Sequence, residues 1–144
     1  MESPADLGPQ LLGLLKQEAD PEVRRRLYQA LGNQESCDWD SVITLARNES
    51  DSRDRLAALD LLAAARQTGT SREVIDFFDR NALPELKQIA LNSISAEDRL
   101  SATISICRSG SSQSLVHLED LARLSNDSKV LNAAMTALVN QARQ

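Results

Sequence analysis

Aromatic residues make up only 3% of this 144-residue chain, one Trp, one Tyr and two Phe. The apolar set is mostly Leu and Ala with few β-branched residues, a balance that favours helices over strands. Glycine and proline are also scarce, at 5 and 4, too few to punctuate the many tight turns of a sandwich or barrel. Both shortages argue against an all-β fold. No stretch approaches the roughly 20 apolar residues of a membrane span. Positive charge is in deficit as well. The net charge of −5 and pI near 4.9 make nucleic acid and anionic membrane poor default partners, because the molecule repels phosphate.

Cysteine occurs twice, as Cys37 and Cys107, with no CxxC pattern or metal-ligand spacing. Free, buried thiols are the expected state, since Cys behaves as a small hydrophobe, and a long-range disulfide is the alternative. The opening Met-Glu-Ser-Pro is neither basic nor followed by an uninterrupted apolar run, so it is not an intact secretory signal. A cytoplasmic location is the expectation, periplasmic or secreted if a leader has been removed.

What is present is a succession of short amphipathic segments separated by polar breaks of two to five residues, the pattern of antiparallel neighbouring helices. The expected fold is all-α and a single domain over 1–144, with about nine helices near 9–18, 21–31, 38–48, 52–66, 71–80, 84–95, 97–108, 112–125 and 128–143. Asp20-Pro21 reads as an N-cap followed by proline at the first helical position. Gly32-Asn33 reads as the end of that helix. Asp38, Asp51, Ser71, Ser95 or Ala96, Ser111 or Ser112, and Asp127 or Ser128 each precede a periodic run as caps would. Pro84 is expected to start a helix of its own.

The chain also repeats itself. Asp20-Pro21-Glu22-Val23-Arg24, then Leu27 and Ala30-Leu31, recurs as Asp51-Ser52-Arg53-Asp54-Arg55, then Ala58 and Leu61-Leu62, an offset of 31 (20 to 51). A third copy is read at Leu83-Pro84-Glu85-Leu86-Lys87, offset 32 (51 to 83), which keeps a cation as Lys87. Asn126-Asp127-Ser128-Lys129-Val130 has the same character but falls 44 beyond the third (83 to 127), so register is lost after about residue 95. Helix pairs that each carry one apolar stripe bury it by stacking on their neighbours, which makes a short α-solenoid of antiparallel helices the expected architecture.

These residues resemble the first helix of a HEAT repeat of the bacterial, phycobilin-lyase-like type. The resemblance spans 9–143, with the best match over 20–48. It implies that Asp20 and Asp51 cap helices, that aliphatics pack between layers, and that Arg24, Arg55 and Lys87 reach acidic groups in neighbouring repeats. Asp54 departs from it, standing where an aliphatic is expected, and Leu83 stands where the capping aspartate is expected.

A search for chemistry returns no catalytic, cofactor or metal residues. His117 is the single histidine, without partners at helical spacing for a metal site or a nucleophile relay, and the repeated His-Glu pairs of HEAT-like metal hydroxylases are missing. Phosphate-cradling and nucleophile-elbow motifs do not occur. The acidic group Glu35, Asp38 and Asp40 reads as capping and solvated loop. Arg24-Arg25-Arg26 cannot form a flat patch, because successive helical residues point about 100° apart, and Glu22 stands four residues before Arg26, where it can pair with it.

The reading that remains is a non-catalytic protein-protein interaction or scaffold module holding a protein or peptide on its concave face. Trp39, the sole Trp, stands at a helix start and shares a face with Ile43 and Ala46, so it is either core or an interface anchor. Asp40, Thr44 and Arg47 make the opposite stripe, and Arg72, Asp76, Asp79 and Arg80 a second one; together with Trp39 these are the candidate partner-binding residues. In a solenoid whose second helices line the inside, the two stripes are expected side by side. Self-association is a further possibility at the terminal helices, through Leu11, Leu12, Leu14 and Leu15 or through Leu131, Ala134, Met135 and Leu138. The alternatives are an enzyme-like HEAT protein related to bilin lyases or DNA glycosylases, disfavoured because the chain lacks a basic, aromatic-lined groove, and a structural fragment of a larger repeat protein.

Overall fold

The computed structural model describes residues 7–34, 37–69 and 71–143, and among them every regular element is helical. Eight continuous helices form: α1 (Gly8–Gln17), α2 (Pro21–Leu31), α3 (Trp39–Asn48), α4 (Ser52–Thr68), α5 (residues 72–92), α6 (Ala96–Arg108), α7 (Ser114–Leu124) and α8 (Ser128–Ala142).

The starts follow from short polar side chains that satisfy the unpaired amides of a first helical turn. The Asp20 carboxylate accepts from the Glu22 amide at 2.9 Å, and Asp51 accepts from those of Arg53 and Asp54 at 2.9 and 3.0 Å. Asp38 accepts from Ser41, Ser71 from Val74, Ser95 from Asp98, and Asp127 from Lys129 and Val130. Only α7 departs from the expected capping: its N-cap is Gln113, which makes no side-chain cap bond. The Gln113 amide is instead taken by the Ser111 hydroxyl at 3.2 Å. Gly69 and Gly110, at φ +68° and +67°, follow the ends of α4 and α6 in the left-handed conformation that glycine adopts without a Cβ penalty.

The expected count of nine is corrected at Pro84, which stands in the first turn of the α-helical segment Leu83–Asn92 as expected, but that segment continues the helix before it. Residues 72–92 run without a break, as α-helix over Arg72–Phe77, a π-helical turn over Phe78–Ala82, and α-helix again over Leu83–Asn92. In a regular α-helix the proline ring would strike the carbonyl four residues back and remove a ladder bond. The wider π turn directly ahead of Pro84, closed by the Leu83 amide on the Phe78 carbonyl, accommodates the ring. Burial supplies the reason to stay helical. Val74, Phe78, Ala82, Leu86 and Ala90 are all buried at intervals of four, and such a row drifts about 40° per step around a regular α-helix. One π turn absorbs part of that drift and keeps the row on the core side.

The same long helix displaces the expected repeat register. The even-numbered helices have caps at Asp20, Asp51, Ser95 and Asp127, with offsets of 31, 44 and 32. Arg99 stands four residues after the Ser95 cap, as Arg24 and Arg55 stand after theirs. The segment Leu83–Lys87, read as a copy in the sequence, lies inside α5.

The described residues divide into two compact units, one up to Leu62 and one from Ala63, with the boundary inside α4. In the first unit α1 packs on α2 and α3, and Leu15, Tyr28, Leu31, Val42, Leu59 and Leu62 are fully buried. In the second unit α5 packs on α6 and α7 on α8, and these two pairs are layered, α5 against α7 and α6 against α8. Phe78, Leu83, Leu86, Ile106, Leu118 and Leu121 form its centre. No described helix is long and apolar enough to cross a membrane.

Candidate functional site

In the first unit the strongest polar feature is a partly buried network that joins helix starts to helix ends. Arg24, on α2, grips the Glu49 carboxylate in two-pronged fashion, Nε to Oε1 at 3.2 Å and Nη2 to Oε2 at 2.8 Å. Its Nη1 donates to the main-chain carbonyls of Leu15 and Glu18 near the end of α1. The Tyr28 hydroxyl donates to Glu49 Oε2 at 2.7 Å. Burial, and then the bond to Glu49, hold the Tyr28 phenol protonated well above its usual range. Glu49 lies 25 positions after Arg24 and immediately follows α3, so no local spacing rule announces the pair. The resemblance implied an acidic group in a neighbouring repeat for this arginine; Glu49 stands at the end of the helix that directly follows its own.

Asp54 lies beside this network. The departure noted in the sequence is physical: the carboxyl occupies an aliphatic position and is 0% exposed. Its Oδ2 has no partner, and its Oδ1 is 3.4 Å from Arg25, a cation shared with Asp51 at 3.6 Å. Burial first, then the neighbouring Asp51 and Glu49 carboxylates, push the Asp54 carboxyl up to about 6, against the pull of Arg25 and Arg24.

The helix-start arginine recurs. Arg55 Nη1 donates to the Ala46 and Arg47 carbonyls of α3 at 2.7 and 3.3 Å. Arg99 Nη1 donates to the Ser93 and Ile94 carbonyls after α5 at 2.7 and 3.2 Å, and its Nε meets Asp127 Oδ2 at 3.0 Å. That bond, with the Lys129 and Val130 amides, holds the Asp127 carboxylate below the usual range. Lys87, offered as the third such cation, pairs with Asp120 of α7 at 2.6 Å, within the same unit.

The candidate partner-binding residues fall in both units. In the first, Trp39 is half-buried at the start of α3, Ile43 and Ala46 beside it in sequence are buried, and Asp40, Thr44 and Arg47 are exposed. The Thr44 hydroxyl donates to the Asp40 carbonyl at 3.0 Å. In the second, Arg72, Asp76 and Arg80 are exposed on α5. Asp79 turns away from that stripe. Its carboxylate takes Arg66 Nε and Nη2 at 3.1 and 3.2 Å and the Ser111 hydroxyl at 2.8 Å, which pins the π turn to α4 and to the loop before α7. A buried serine and an arginine 13 positions upstream were not anticipated as its partners, because the spacing gave no sign of either.

No protein-family model, curated protein or solved structure matches the chain. The HEAT resemblance accordingly rests on this chain's own residues.

Cys37 and Cys107 are both half-buried thiols, and burial pushes the Cys107 thiol up. His117 is half-buried, with Nδ1 lacking a partner. Burial, and then the nearby Lys87 cation, disfavour its charged form. Among the described residues no group of three or more His, Cys, Asp or Glu side chains is placed to hold a metal ion. Glu35, from the acidic group weighed above, lies outside the described residues. Large apolar side chains are exposed on both terminal helices or next to them: Leu7 and Leu14 at α1, Met135 and Val139 on α8.

Proposed function

We propose that the chain is a HEAT-like helical repeat module of the non-catalytic kind, which binds a protein or peptide through exposed mixed-charge side chains carried on rigid helices. The observation that carries this reading is the stripe on α5. Arg72, Asp76 and Arg80 are exposed at successive four-residue steps, so they share a helix face, and none of them forms an ion pair within the described residues. The helix beneath them is held in place by Asp79 bonded to Arg66 and Ser111 and by a continuous buried row. Side chains of both signs on a fixed support suit recognition of a complementary charged surface, because little ordering entropy is lost on contact.

Arginines that tie a helix start to the preceding helix end at Arg24, Arg55 and Arg99 support the repeat reading, since each stands four residues after its cap, Asp20, Asp51 or Ser95. The exposed apolar side chains of α1 and α8 favour a second surface, for a copy of the same chain, as unfilled ends of a helical array would.

The test is affinity capture from the source cell extract with the parent chain and with the Asp76→Arg/Arg80→Glu double variant. The variant keeps both exposed positions charged and leaves Asp79 in place, so the fold is expected to survive. Proteins retained by the parent are expected to be lost by the variant, and equal retention by both would remove α5 as the contact.

A further inference from the structure

We propose that the cleft around Arg99 is a binding site for a carboxylate carried beside a short aliphatic group. A helix-start arginine meets the end of a following odd-numbered helix at Arg24 in the first unit and at Arg99 in the second. At Arg24 the protein supplies the carboxylate itself: Glu49, the C-cap residue of α3, bonds both Nε and Nη2, and Tyr28, eight residues after the Asp20 cap, steadies it. At Arg99 the matching positions hold smaller groups. The C-cap residue of α7 is Ser125, and eight residues after the Ser95 cap stands Thr103, whose hydroxyl donates to the Arg99 carbonyl.

The consequence is a cleft of about 490 Å³ lined by Arg99, Leu91, Asn92, Leu124, Ser125, Asn126 and Asp127. Arg99 uses Nη1 on the Ser93 and Ile94 carbonyls and Nε on Asp127, while its Nη2 carries no hydrogen bond among the described residues. Nη2 is the nitrogen whose counterpart in Arg24 holds Glu49 Oε2. Guanidinium donors suit carboxylate acceptors in geometry and charge. Asn126 brings an amide group to the same cleft, Asn92 brings one whose Nδ2 already donates to Gln88 at 2.8 Å, and Leu91 and Leu124 give it aliphatic walls, Leu124 being 61% exposed.

Asp127 does not forbid an anion there. Its carboxylate is already engaged by Arg99 and by two backbone amides. The site is separate from the α5 stripe, and its test does not depend on that reading.

The experiment is NMR titration of the full, 15N-labelled chain with isovalerate, with isovaleramide, and with N-acetyl-alanyl-leucine as the free acid and as the amide. Isovalerate or the peptide acid is expected to shift the Asn92, Ser125 and Asn126 amides and the Arg99 Nε signal saturably, and the two uncharged ligands are expected to leave them in place. Shifts with both acids mean that any small acid of this shape binds; shifts with the peptide acid alone mean that the site takes chain ends. Ser125→Glu places in α7 the residue that α3 already has, and it is expected to weaken binding at least about tenfold, the loss of one good charged contact. No shift with either acid, equal shifts with isovaleramide, or undiminished binding by Ser125→Glu would overturn the proposal.

Discussion

Arg24→Ala is expected to remove about 3–5 kcal/mol of stability, the usual effect of stripping one partner from a buried ion pair. The size follows from what is left behind. Glu49 is 6% exposed at its side chain, so without Arg24 it keeps a charge out of water with only the Tyr28 hydroxyl to meet it. The Leu15 and Glu18 carbonyls lose their donor as well, and unpaired buried carbonyls add to the cost. Replacing both Arg24 and Glu49 by methionine is expected to be less damaging than Arg24→Ala, because no uncompensated charge remains. Urea denaturation followed by Trp39 fluorescence is the suitable measurement, since the sole Trp lies in the same unit as the network. A loss below about 1 kcal/mol would mean that the pair behaves as a solvated surface contact.

Asp54→Asn is expected to act in the opposite direction, stabilising the protein by roughly 1–3 kcal/mol at pH 7.5 and by little near pH 4. The folded chain holds the Asp54 proton up to about pH 6, whereas an unfolded aspartate releases it near pH 3.9. Between those values the folded state binds more protons than the unfolded one, so this residue makes stability fall as pH rises through that window. Above pH 6 the ionised carboxylate is held at full cost, with Oδ2 unpartnered. The amide variant has no charge to bury and should flatten the profile. Thermal midpoints of parent and variant from pH 4 to pH 8 make the comparison. A variant less stable than the parent at pH 7.5 would show that Asp54 is a net stabilising partner of Arg25.

The helix starts were legible in the sequence because capping is local. Asp20, Asp38, Asp51, Ser71, Ser95 and Asp127 act on amides two or three residues ahead, and short-range chemistry of that kind can be read from adjacent letters. The uninterrupted passage through Pro84 was not legible, since proline ahead of an apolar run is also how a new helix begins. Only the buried row from Val74 to Ala90 decides between the two, and that row depends on packing against α6 and α7. Arg99, four residues after the Ser95 cap, was passed over for a similar reason, because its place opposite Asp127 depends on the full length of α5.

Of the candidate site, the exposure of Asp40, Thr44, Arg47, Arg72, Asp76 and Arg80 followed from helical periodicity. Asp79 did not, because its carboxylate is drawn to Arg66 and Ser111, which are distant in sequence. Asp54 was visible as an anomaly in the repeat, yet its cost depends on Glu49, Asp51 and Arg25 gathering around it in three dimensions.

On the proposed function, the protein works by presenting the α5 stripe to a protein partner. The decisive test is amide hydrogen exchange of the chain alone and in complex with a protein that it captures. Slowed exchange is expected across residues 72–80, with the fastest amides near Arg72 and Asp76 most affected. Protection confined to α1 or α8, or none along α5, would contradict it and move the contact to the apolar side chains of the terminal helices.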